Sequence, residues 1–107
     1  MLKQEGWKGF PSGREKVAME IFLSREEVEE RYGLKFIEGS DSLGKAVSTY
    51  FSDDVLGSII IVYYELNPKT TGIVMIDGDL ELQLAVPRLR HVLQLNETEV
   101  DAPIFGK

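Results

Sequence analysis

A chain of 107 residues has the ordinary size of one domain and can bury roughly two thirds of the surface its unfolded form exposes. With 43% hydrophobic and 28% charged residues it has the composition of a folded chain and not of a disordered one. A formal net charge of −6 repels phosphate backbones and anionic lipid at long range, and the lack of cysteine excludes disulfides, thiolate metal sites and cysteine nucleophiles. The longest apolar run, residues 59–64, falls far short of the ~18 residues of a membrane span. The first residues carry no apolar signal block, so the expected location is cytoplasmic.

Residues 1–16 hold Gly6, Gly9, Pro11, Ser12 and Gly13 and read as an irregular arm, with Trp7 and Phe10 as the side chains that would pin it. Residues 17–23 alternate, with Val17, Met19, Ile21 and Leu23 on one face, which predicts a strand. Ser24-Arg25-Glu26-Glu27 is a capping box: the Ser24 hydroxyl can accept from the N–H of Glu27 while that carboxylate accepts from the N–H of Ser24. A short helix over 25–32 follows, stapled by Leu23 and Val28 and stopped by Gly33, with a Glu27 to Arg31 pair on its solvent face.

After a brief extended piece at 34–37 and the turn residues 39–42, Leu43, Ala46, Val47, Tyr50 and Phe51 recur at helical spacing. They predict a helix, although Gly44, Val47, Ser48 and Thr49 form helices poorly and keep a strand in play. Residues 58–66 are β-branched and aromatic almost throughout and predict a central strand covered on both faces. Asn67-Pro68-Lys69-Thr70 is a turn, residues 71–76 return as the partner strand, and Asp77-Gly78 is a hairpin dipeptide. Leu80, Leu82, Leu84 and Val86 then alternate as a third strand that Pro87 ends. Residues 88–95 fit a helical turn or a strand, with a lean to the strand. Residues 96–107 are expected to cross the surface as an extended tail that docks Ile104 and Phe105. No repeat or linker appears, so the expectation is one domain over 1–107. Its fold class is α+β: a mainly antiparallel sheet of about four or five strands, with one or two helices packed on one face.

No complete catalytic set is visible, because the single histidine has no identifiable nucleophile beside it and no nucleotide fingerprint or metal motif occurs. No cofactor is therefore implied, and binding is the favoured class over an enzyme. Asp53 and Asp54 lead into the central strand, and Asp77, Asp79 and Glu81 surround the next turn. As carboxylates on an acidic chain they suit a basic protein partner, with Trp7 as an interface anchor. The function expected from this pattern is stoichiometric binding of the kind that bacterial immunity proteins and other inhibitors perform on a basic toxin or enzyme. A metal among the same acids is the weaker reading, since the Asp-Gly turn preference already explains Asp77. The alternative is a small-ligand or catalytic pocket formed by His91, Arg88 and Arg90 with tyrosines such as Tyr50, Tyr63 or Tyr64. A third reading is a subunit that completes its sheet by edge pairing in a homo-oligomer.

Overall fold

A computed structural model of the chain describes residues 3–4, 14–41 and 44–101. Trp7, Phe10, Ile104 and Phe105 lie outside the described residues. The elements in order are β1 (Lys3–Gln4), β2 (Glu15–Ile21), α1 (Arg25–Tyr32), β3 (Ile37–Asp41), β4 (Gly44–Asp53), β5 (Gly57–Tyr64), β6 (Gly72–Asp77), α2 (Leu82–Val92), a 3-10 turn (Glu97–Glu99) and β7 (Val100–Asp101). The described strands form one seven-stranded antiparallel sheet in the order β1-β4-β5-β6-β2-β7, with β3 also paired to β4. The fold is therefore α+β as expected, with more strands than expected.

The strand β5 lies near the middle because it is apolar on both faces. Ile59, Ile61 and Tyr63 join the larger hydrophobic cluster, which contains Val28 and Tyr32 of α1 and Ala85, Val86 and Leu89 of α2. Ile60 and Val62 join a second cluster on the opposite face with Ala46 and Tyr50 of β4. Both helices thus pack on one side of the sheet. Two buried tyrosines fasten that side: the Tyr63 hydroxyl donates to the Leu23 carbonyl at 2.6 Å, and the Tyr32 hydroxyl donates to the Leu93 carbonyl at 2.6 Å.

The predicted first helix is present from Arg25 to Tyr32 with both bonds of its capping box, Glu27 N–H to Ser24 Oγ at 3.1 Å and Ser24 N–H to Glu27 Oε1 at 2.9 Å. Gly33 closes it at φ 70°, a conformation that glycine reaches without a Cβ clash. Its ion pairs differ from expectation. Glu27 is occupied by the cap, Arg25 pairs Glu29 at 3.8 Å, and Arg31 instead grips Glu99 with its two terminal guanidinium nitrogens at 3.2 and 2.9 Å. In turn Glu99 caps the 3-10 turn by accepting from the N–H of Asn96, so Asn96 and Glu99 form a second capping box in the segment read as an extended tail.

The reading of residues 43–51 as a helix is corrected to a strand over its described part, since Gly44–Asp53 is β4, while Leu43 lies outside the described residues. The apolar positions recur at an interval of four, which is even and so also keeps residues on one strand face: Val47 and Phe51 point to the helices, Ala46 and Tyr50 to the other side. Burial on both faces hid the alternation, and the β propensity of Val47, Thr49, Tyr50 and Phe51 decides the outcome. In β2 a bulge between Val17 and Met19 shifts the register, so Ala18 and Met19 are both buried and Val17, expected inside, is 49% exposed.

The third strand of the expected meander is also corrected. Residues 80–86 and 88–95 contribute to one helix, α2, whose inward residues Leu82, Ala85, Val86, Leu89, Val92 and Leu93 follow a helical period. Pro87 lies inside it and does not end it. The carbonyl that Pro87 leaves without an intrahelical donor belongs to Gln83, and both residues are exposed, so water can satisfy it. Asp77-Gly78 accordingly makes no hairpin. The Asp77 carboxylate accepts from the N–H of Asp79 at 2.9 Å, and the Gly78 N–H donates to the Arg14 carbonyl at 2.9 Å, which approaches so closely that a Cβ would collide with it.

Gly72 has a comparable role in the core, since a Cβ there would lie 2.6 Å from Cζ of Tyr63. The substitution Gly72→Ala should destabilise the protein by about 1–3 kcal/mol, measured by urea unfolding. That cost should shrink when Tyr63→Leu removes the ring; an unchanged cost in that background would show that the contact is not its source.

Candidate functional site

The antiparallel register decides which loops share an end of the sheet. Asp53 is paired with Gly57 across the β4–β5 turn, Ile60 with Met75 across β5–β6, and Glu15 with Asp77 across β2–β6. Continuing the β5–β6 register by two residues brings Ser58 opposite Asp77. The β4–β5 turn, the end of β6 and the loop into α2 therefore emerge side by side, and Asp53, Asp54, Asp77, Asp79 and Glu81 lie at one end of the sheet. Trp7, assigned to the same partner surface, falls outside the described residues.

Asp53 differs from the other four. Its carboxylate accepts from Arg88 Nε at 2.9 Å and Nη2 at 2.7 Å, and the side chain is only 6% exposed while that of Arg88 is 32% exposed. The oxygen that accepts from Nε, Oδ2, also accepts the backbone N–H groups of Val55 at 3.0 Å and Leu56 at 3.1 Å. One carboxylate thus clamps its own turn and ties that turn to the middle of α2. The Arg88 bonds, aided by the two backbone donors, hold the Asp53 carboxyl below the usual carboxylate range. Asp54, Asp77, Asp79 and Glu81 are exposed, and among the described residues none has a cation within ion-pair distance. Arg14 and Lys16 enter this end on the β2 side, and neither pairs with those four acids. Among the described residues no three His, Asp or Glu side chains are grouped so as to hold a metal ion.

The second set of residues named from sequence is divided. Glu81, Leu84, Arg88 and His91 are spaced three, four and three apart on one side of the α2 segment, but only Arg88 joins the acidic end, through its pair with Asp53; His91 lies about one turn further along the helix. Arg90 points elsewhere around the helix. His91 is exposed.

A concavity lies at the other end of the sheet. An open groove of about 730 Å³ is lined by Arg25 and Glu26 at the start of α1, Glu38, Gly39 and Ser40 of β3, Lys45, Ala46 and Val47 of β4, Tyr63 and Tyr64 of β5, and Glu65 and Lys69 of the following turn. Ala46 and Asp53 are seven residues apart on β4, roughly 24 Å at about 3.4 Å per residue. His91, Arg88, Arg90 and Tyr50 do not line the groove, whereas Tyr63 and Tyr64 do. Sequence reasoning missed the rest of this lining because it comes from five separate segments that only the sheet register brings together.

No family model matches the chain, and neither a curated protein nor a solved structure matches it. No described helix is long and apolar enough to cross a membrane.

A carboxyl held below its ordinary range stabilises the fold fully above that range, and its contribution is lost as the pH falls through the folded value. Asp53→Asn should therefore cost about 1–2 kcal/mol at pH 7, and the gap to the unsubstituted protein should close progressively below about pH 4. Urea unfolding from pH 7 to pH 3 measures it; a gap independent of pH would show that the Asp53 charge contributes nothing.

Proposed function

We propose that the chain is a stoichiometric binding protein that engages a basic protein partner through the acidic end of its sheet. The supporting observation is the juxtaposition by register of Asp54, Asp77, Asp79 and Glu81, four exposed carboxylates with no cation within ion-pair distance among the described residues. Like charges crowded on one surface repel one another, and a cationic partner relieves that repulsion while its approach is accelerated by the field. An inhibitor or immunity protein acts in this way: it needs no reactive group, only a rigid surface that covers the partner's own. The rigidity is supplied by the Arg88–Asp53 clamp and by β5.

A small-ligand reading attaches to the opposite end, where the groove has the volume usual for a ligand site and the aromatic surfaces of Tyr63 and Tyr64. The edge of β3 away from β4 offers a further place for a second copy to pair.

The test compares the chain with two charge-neutralised variants in salt-graded pull-downs from the native lysate. The first carries Asp54→Asn, Asp77→Asn, Asp79→Asn and Glu81→Gln; asparagine at 77 can still accept the turn hydrogen bond. The second carries Glu26→Gln, Glu38→Gln and Glu65→Gln at the groove. A partner retained by the unsubstituted chain and by the groove variant, but lost roughly tenfold or more by the acidic-end variant, is the expected result. Equal retention by both variants would contradict the proposal.

A further inference from the structure

Resting on that reading of the acidic end, we infer that its binding surface has an apolar centre formed by Val55 and Leu84, and that its partner is a cationic protein presenting an apolar side chain framed by lysine or arginine. Large exposed apolar residues are few among the described positions, and two of them, Val55 at 51% and Leu84 at 54%, fall at this end. The Arg88–Asp53 pair joins the elements that carry them. Val55 follows Asp53 by two residues and donates its N–H to the carboxylate oxygen that also accepts from Arg88 Nε. Leu84 precedes Arg88 by one helical turn, and side chains on a helix lean toward its N-terminus, so the arginine and the turn it holds lie over the Leu84 side of α2.

The composition of the surface then matches a protein interface in cross-section: apolar side chains inside a charged rim, here Asp54 beside Val55 and Glu81 beside Leu84. Val55 is also displayed on a fixed turn. Its neighbour Leu56 is buried, and the Asp53 carboxylate holds both of their N–H groups. Little ordering is left to do when a partner arrives, which lowers the entropic cost of binding at this spot. The rim selects for cationic partners, and the apolar pair discriminates among them.

Two synthetic lysine-rich peptides of equal length and charge test this, one with a central Leu-Leu pair and the other with Ser-Ser there. Each is titrated into the isotope-labelled protein at low and high salt while amide chemical shifts are followed. The Leu peptide should bind roughly fivefold or more tightly than the Ser peptide and shift the amides around Val55 and Leu84. The Val55→Ser, Leu84→Ser double variant, whose substitutions are both at exposed positions, should bind the two peptides alike while keeping its salt-sensitive affinity for each. Equal binding of the two peptides by the unsubstituted chain would overturn the inference and leave the acidic end standing. So would a Leu preference that survives the double variant. Absence of any salt-sensitive shift at the acidic end would overturn both.

Discussion

The strand Gly57–Tyr64 is apolar on both faces, and a strand of that kind is stable only with neighbours on each side and material above and below. Its pairing with Gly44–Asp53 on one edge and Gly72–Asp77 on the other fixes the register of the middle of the sheet. A slip of one residue would turn Ile59 and Ile61 away from the helices and bring Ile60 and Val62 toward them, so the two hydrophobic clusters lock the alignment from both sides. The surface inherits that alignment. Turns far apart in sequence emerge together because their strands are held in one register, and the carboxylates they carry are gathered without any direct contact among most of them.

The Arg88–Asp53 pair connects this sheet end to the second helix. It is bidentate and mostly shielded from solvent on the carboxylate side, which favours it over the exposed Arg25–Glu29 pair as a determinant of geometry. A similar device closes the opposite edge of the fold, where Arg31 holds Glu99 and so fastens the last 3-10 turn to the first helix. Gln4 supplies a third: its amide donates to the Tyr50 carbonyl and the Thr49 hydroxyl and accepts from the Lys35 N–H, filling the ladder between β1 and β3 along β4.

Local signals were legible in the sequence. The Ser24 to Glu27 capping box, the Gly33 stop, the apolar run of β5 and the Asn67-Pro68 turn each depend on residues a few positions apart, and each stands as read. Elements whose identity depends on partners were not. The spacing of Ala46, Val47, Tyr50 and Phe51 fits both periods, and only burial against β5 and the helices selects the strand. Leu82, Leu84 and Val86 alternate by coincidence, and Pro87 conceals the helix that Ala85, Leu89 and Val92 complete. The acids were individually visible, as were Arg88 and His91, yet they stood in rival sites. No spacing rule relates Asp53 to Arg88 across 35 residues of chain, so their union is a property of the fold alone.

A spin label gives the most direct test of that gathering. The chain contains no cysteine, so a nitroxide on an Asp54→Cys variant marks a single known position, and its effect on amide line widths reports what lies nearby. Strong broadening of the amides of Asp77, Asp79, Glu81 and Leu84, with those of Gly39, Ser40, Glu65 and Lys69 preserved, is the predicted pattern. Broadening of the groove residues with the Asp77 to Leu84 amides left sharp would contradict the register from which the account is built.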